Sequence, residues 1–293
     1  MRLSLLMASC LVLPVLAISS QSVSSFSDEQ VRTTAELDWV SSTLQMTAEV
    51  PLDPRSRNAP AHPHYQEQAL KRRLPAVAVS VVSGITLSST QTVGEALRDR
   101  PELVGRLQEV ADGVQSSFSR VSKDLSTLQV AFALDLYPSI LQAIHRPDRP
   151  RPLPRVLSWE ATDVFTGIVI YARDPLPIRG ENSSTYLRPA LLPDILDTGL
   201  EPILTAEHLN PNVFSERGVV TYTTSTEPAD WEEVVGPQPL RVVAREVFGK
   251  YPTDVILSTQ DAARLLSSES NRSILAEGRV MVIVNPAVIE ESF

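Results

Sequence analysis

The sequence predicts an α/β to α+β protein built of two small mixed sheets, each covered by helices. Strict apolar–polar alternation over residues 39–50 and 125–136 reads as half-buried strands. The apolar run at 165–172 suits a strand buried on both faces. Helical patterns lie between these strands, which implies packed layers of helix and sheet. With 293 residues, 43% apolar and 21% charged, the chain can bury a sizeable core.

Residues 1–20 read as a secretory signal peptide. Arg2 gives the positive start, an apolar stretch covers 3–18, and a polar run follows from Ser19. Ala17 is the expected last leader residue, with cutting after Ser19 or Ser20 as alternatives. Met7-Ala8-Ser9-Cys10 loosely matches a lipidation box, but the apolar stretch continues past Cys10, so simple cleavage is preferred.

Residues 28–144 read as a first domain, a strand–helices–strand block. Positions 21–36 are polar and Ser-rich, a flexible entry. In the first strand Val40, Leu44, Met46, Ala48 and Val50 share one face. A proline-rich loop at 51–63 leads to a helix over 65–82, which Pro75 should kink or divide. Thr92 with Glu95 forms a capping box, and Pro101 opens a helix carrying Leu103, Leu107 and Val110 on one stripe. Leu128, Val130, Phe132, Leu134 and Leu136 then line the second strand.

Residues 145–155 hold four prolines among arginines and read as an extended linker, or else a structured crossing that packs on both units. Residues 156–286 form the second, α/β unit. After 165–172, strands are expected at 219–223, 240–248 and 253–257. Ser258 with Asp261 starts a helix, a short helical piece covers 271–276, and a β-branched run at 279–284 ends the fold. The strand–helix–strand order over 253–284 predicts a parallel pair joined by a crossover helix. Residues 286–293 read as a loose tail.

Composition excludes several chemistries. Asp plus Glu exceed Lys plus Arg by 35 to 26, and loss of Arg2 with the leader takes the charge from −9 to −10. Such a chain has no global attraction for nucleic acid. Lys71-Arg72-Arg73 and the arginines at 146–155 read as a solvated helix face and a linker. Only 11 glycines occur, with no phosphate-cradling or nucleophile-elbow motif, so no cofactor is expected. Cys10 is the only cysteine, so the processed chain would have no thiol for a disulfide, a zinc site or a nucleophile. His62 and His64 lack a third metal ligand, while His145 and His208 read as linker and surface residues; no metal site is predicted. Glu160 and Asp163 form an E-x-x-D pair of the kind a hydrolase dyad needs. Asn182 and Asn271 match the glycosylation sequon by chance-level patterns.

Two stretches carry a family resemblance. Over 39–136 these are Trp39, Gln66-Glu67-Gln68-Ala69, Lys71-Arg72-Arg73-Leu74, Thr90-Gln91-Thr92-Val93-Gly94 and Leu134-Asp135-Leu136. Beyond residue 164 they are Phe165-Thr166-Gly167, Leu187-Arg188-Pro189, Pro193-Asp194-Ile195, Thr253-Asp254-Val255 and Gly278-Arg279-Val280. Together they resemble the FlgP-like envelope lipoprotein group, the twenty-kilodalton lipoprotein type, and its longer outer-membrane and flagellar accessory relatives. The resemblance implies a non-enzymatic exported protein of the periplasm or outer membrane with a structural or assembly role. Its partners would be envelope proteins, flagellar components or further copies of itself, and any membrane association peripheral. Arg173, Arg188 and Asp194 form the candidate interaction patch; the alternative is internal ion pairing that fixes the long loop. The competing functions are a cell-wall hydrolase using Glu160 and Asp163, and a small-ligand or glycan-binding module.

Overall fold

In the computed structural model the described residues are 31–52, 62–146, 149–157 and 162–293, and 31–293 cluster as one unit. The leader, with Cys10 and Ala17, lies outside the described residues. Strand β1 (Arg32–Asp38) turns at residues 39–42 into β2 (Thr43–Pro51). The Asp38 carboxylate closes this turn, accepting from the Val40 N–H at 2.9 Å and the Ser41 hydroxyl at 2.6 Å. Two expectations therefore change. Residues 32–36 are strand rather than flexible entry, and Val40 is an exposed turn residue. Leu44, Met46, Ala48 and Val50 do share the buried face, as alternation demands.

Helix α1 (His62–Val82) runs unbroken through Pro75. Proline removes the N–H that would bond the Lys71 carbonyl. Burial of Leu70, Leu74, Ala78 and Val82 along one stripe holds the helix across that gap. Helix α2 (Val93–Asp99) begins at the predicted capping box, with Thr92 Oγ1 accepting from Glu95 N–H at 3.3 Å and Glu95 Oε2 accepting from Thr92 N–H at 2.8 Å. Helix α3 (Glu102–Asp112) buries Leu103, Leu107 and Ala111. Strands β3 (Ser116–Val121) and β4 (Thr127–Asp135) follow as a hairpin. Leu125, expected within the strand, is an exposed turn residue at φ +59°. A π-type turn over Leu136–Ile140 then leads to α4 (Leu141–Ile144).

The second half divides its strands among three sheets, except its last strand, which joins the first sheet. It runs β5 (Ile168–Ala172), β6 (Leu176–Pro177), β7 (Ser184–Thr185), β8 (Ile195–Leu196), β9 (Pro202–Leu204), α5 (Pro211–Arg217), β10 (Thr221–Thr223) and α6 (Glu232–Val235). Then come β11 (Leu240–Val243), β12 (Glu246–Phe248), β13 (Asp254–Ile256), α7 (Thr259–Leu266), α8 (Glu269–Ala276), β14 (Val280–Val284) and β15 (Glu290–Ser292). One sheet is all parallel in the order β10-β14-β5-β11, a second runs β12-β13-β8-β9, and β6 pairs β7. The fold is α/β to α+β, as the patterns predict.

The predicted parallel pair over 253–284 does not form: β13 pairs β8 and β12, whereas β14 inserts between β5 and β10. The expected 240–248 strand divides for a visible reason. Ala244 N–H bonds the Tyr171 carbonyl of one sheet, and the next amide, Arg245 N–H, bonds Ile256 of the other. Residues 286–293 are not loose either. They form a short 3₁₀ turn and β15, which pairs antiparallel with β1 and completes the first sheet in the order β15-β1-β2-β4-β3.

Other main-chain bonds join the connection between α1 and α2 to the second half. Leu191 and Leu192 N–H reach the Thr86 and Leu87 carbonyls at 3.2 and 2.7 Å, and Tyr251 N–H reaches Ser89 at 2.9 Å. Gly249, at φ +108°, allows this approach, because a Cβ there would collide with Ser89. Along the Pro/Arg-rich segment, Arg151 bonds Glu207 through its N–H and its guanidinium, each at 2.7 Å.

Candidate functional site

Of the predicted patch, Arg173 and Arg188 are exposed and Asp194 is half-buried. Arg173 is exposed just after β5, where its carbonyl accepts from Asn285 Nδ2 at 3.0 Å. Arg188 is exposed, its main chain is bonded to Pro252 at 2.9 Å, and its charge acts on Glu291. Among the described residues neither guanidinium forms an ion pair. Asp194 meets a partner absent from the sequence reading, because its N–H donates to Asp254 Oδ1 at 3.0 Å and its carbonyl accepts from Val255 at 3.1 Å.

The two carboxyls define an electrostatic centre at the start of β8 and β13. Asp254 is only 3% exposed, and Thr253 Oγ1 lies 3.4 Å from Asp254 Oδ1. Burial, the Asp254 charge and Glu207 push Asp194 up to about 7. Burial likewise raises Asp254, although hydrogen bonds from Ser89, Asp194 and Thr253 favour its charged form. Two such carboxyls resist double ionisation and can hold a proton near neutral pH. Beside them Tyr222 Oη accepts from Ala190 N–H at 3.1 Å and, fully buried, has its pKa raised by desolvation. Asp254 opens an otherwise apolar strand, and that one polar residue was the available signal for this pair.

The other candidates play local roles. Glu160 lies outside the described residues, and Asp163 is exposed. Asn271, in a sequon, is fully buried: Oδ1 accepts from Phe165 N–H at 3.1 Å, and Nδ2 donates to the Asp163 and Arg264 carbonyls at 2.9 and 3.0 Å. In this fold it is closed to glycosylation, whereas Asn182 is exposed. His64 is exposed, while His208 caps a short 3₁₀ turn with Thr205, its Nδ1 3.1 Å from Thr205 N. His145 packs edge-on against Phe214, and burial lowers its pKa. Among the described residues no group of three His, Cys, Asp or Glu is placed to hold a metal ion.

Clefts open among the described residues. One of about 520 Å³ is bordered by Arg106, Ser139, Gln142 and Arg146. One of about 260 Å³ is walled by Trp39, Tyr137 and Tyr222, with Asp135, Glu216 and Arg217 beside them. One of about 270 Å³ is lined by Val156, Ile203, Ala262 and Leu266. The first sheet also has a distinctive border. Among the described residues nothing pairs with the outer side of β3, where Phe118 is 44% exposed and Ser117, Ser119 and Arg120 are also exposed. On that sheet's open face Thr34, Thr47, Ala131 and Phe118 form one cross-strand row, and Arg32, Glu49, Gln129 and Arg120 the next.

These features describe an α/β to α+β protein with an internal carboxyl pair, modest clefts and an unpaired sheet edge. Residues 30–143 match the family described as Treponema pallidum Tp0624, N-terminal domain. Residues 167–286 match the family described as Treponema pallidum Tp0624, second domain. The two segments are thus similar, in the same order, to two named domains of one protein. No curated protein matches the chain.

Proposed function

We propose that the chain is a non-enzymatic exported envelope protein with a structural or assembly role, acting through its surfaces on outer-membrane or flagellar protein partners. The observation that carries this reading is β3. Among the described residues it is an edge strand with free main-chain groups beside an open face and an exposed phenyl ring, which is the template that strand addition uses. The leader pattern supports export, and the net charge of −9 disfavours nucleic acid partners. Arg173 and Arg188 supply exposed cations for carboxylates of the same partners.

Crosslinking of the tagged chain in cells, followed by fractionation and pull-down, tests the reading. Recovery in the envelope with defined outer-membrane or basal-body components is expected, and Ser119→Pro or Arg188→Glu should reduce it. Retention in the cytosol, or recovery unaffected by either substitution, overturns it. The cleft walled by Trp39, Tyr137 and Tyr222 favours a second reading, a small-ligand or glycan-binding module. Saturable quenching of tryptophan fluorescence by a monosaccharide would favour that one instead.

A further inference from the structure

We propose that β3 pairs with β3 of a second copy of this chain, antiparallel about a two-fold axis at Ser119, joining two five-stranded sheets into one of ten strands. The inference rests on the assembly reading and names its partner. It begins with the direction of the main-chain groups. Ser122 N–H bonds the Thr127 carbonyl at 2.9 Å, and Leu52 N–H bonds the Ser126 carbonyl at 2.6 Å. Both bonds fix the same alternation: Ser122, Arg120 and Phe118 turn their N–H and C=O toward β4, so Ser119 and Val121 turn theirs outward. The outer border therefore has donors and acceptors spaced to bond an antiparallel strand.

Side chains select the register. Centring the pair on Arg120 would set two guanidiniums directly opposite each other, a destabilising cross-strand pair. Centring it on Val121 would set Phe118 opposite Asp124. Centring it on Ser119 sets each Phe118 opposite the Arg120 of the other copy, twice, both on the open face. Each ring then receives a cation, and no like charges oppose. The chain thus carries, within three residues, both halves of a self-complementary contact. Its short length makes it a weak, concentration-dependent dimer of the kind that arrays strengthen by repetition.

Sedimentation of the full chain should show a monomer–dimer equilibrium. Ser119→Pro should raise its dissociation constant about tenfold or more. The proline replaces an outward N–H, so the β4 ladder and the melting temperature should stay close to wild type. Register is read by oxidation in a Cys10→Ala background, since Cys10 is the chain's one cysteine. Ser119→Cys should give a disulfide-linked dimer, and Arg120→Cys or Val121→Cys should give far less. A wild-type chain that remains monomeric at all concentrations, or preferential crosslinking through Arg120→Cys or Val121→Cys, overturns the inference. Its failure is distinct from failure of the assembly reading, which falls if the chain is retained in the cytosol or if neither Ser119→Pro nor Arg188→Glu lowers recovery of envelope components.

Discussion

At the scale of single residues, the carboxyl pair makes a prediction about pH. Asp194 and Asp254 hold protons more tightly in the fold than in the unfolded chain, where an aspartate titrates near pH ~4. The stability they contribute is therefore complete below about pH 4 and is lost as pH rises to the Asp194 value of about 7. Asp254→Asn keeps the oxygen that accepts from Asp194 N–H and removes the repulsion. Its melting temperature should gain on wild type between pH 5 and pH 7.5, by on the order of 5 °C. A constant difference across that range, followed by differential scanning fluorimetry, would remove the pair from the pH response. Asn271→Ala acts differently, removing the acceptor of Phe165 N–H and a donor to the Asp163 and Arg264 carbonyls, of which Arg264 keeps Thr162 Oγ1 at 3.0 Å. Urea unfolding should report a loss of about 3 kcal/mol. Asp194 could be singled out from the sequence, but its partner could not, because Asp254 lies 60 residues further along the chain, past strands that belong to another sheet.

At the scale of elements, legibility followed exposure of one face. β2 and β4 alternate because helices cover one side and the other remains open, so each side chain's environment is written in its order. Capping boxes are equally local, which is why α2 starts where Thr92 and Glu95 place it. β3 has the burial of a loop, since it lies at a border with most of its side chains exposed. β1 buries only Ala35 and Leu37 well, and β15 is recognisable only beside β1. The opposite problem hides the pairing of β13 and β14. Both are buried throughout, so their patterns carry no record of which neighbour they take. Pro75 gives this scale its own prediction. If packing rather than propensity carries α1 through the proline, Pro75→Ala should restore the missing bond to Lys71. The expected gain is about 1–3 kcal/mol in chemical denaturation. A loss would mean that α1 depends on the bend proline imposes.

At the scale of the whole molecule, the last residues act on the first strand. β15 covers the β1 edge, Ala35 and Phe293 exchange main-chain bonds at 3.3 and 2.9 Å, and Trp39 N–H reaches Ile289 at 3.1 Å. The Phe293 ring also lies against Gly84, where a Cβ would come within 2.8 Å of it. Together with the Thr86, Leu87 and Ser89 bonds, these contacts tie the beginning and end of 31–293 into one cooperative body. Calorimetry of the full chain should accordingly give a single transition whose van't Hoff and calorimetric enthalpies agree. Deleting residues 286–293 should do two separable things. It removes the buried Ile289 and the bonds to Ala35 and Trp39, so the transition should move down and broaden. It also bares β1, whose Leu37 and Ala35 alternate along a newly open edge, so light scattering should rise with concentration. Ser119→Pro in the truncated chain separates this edge from β3: scattering that persists comes from β1, and scattering that vanishes comes from β3. Two resolved transitions in the untruncated chain would mean that the C-terminal strand docks on a sheet already stable by itself.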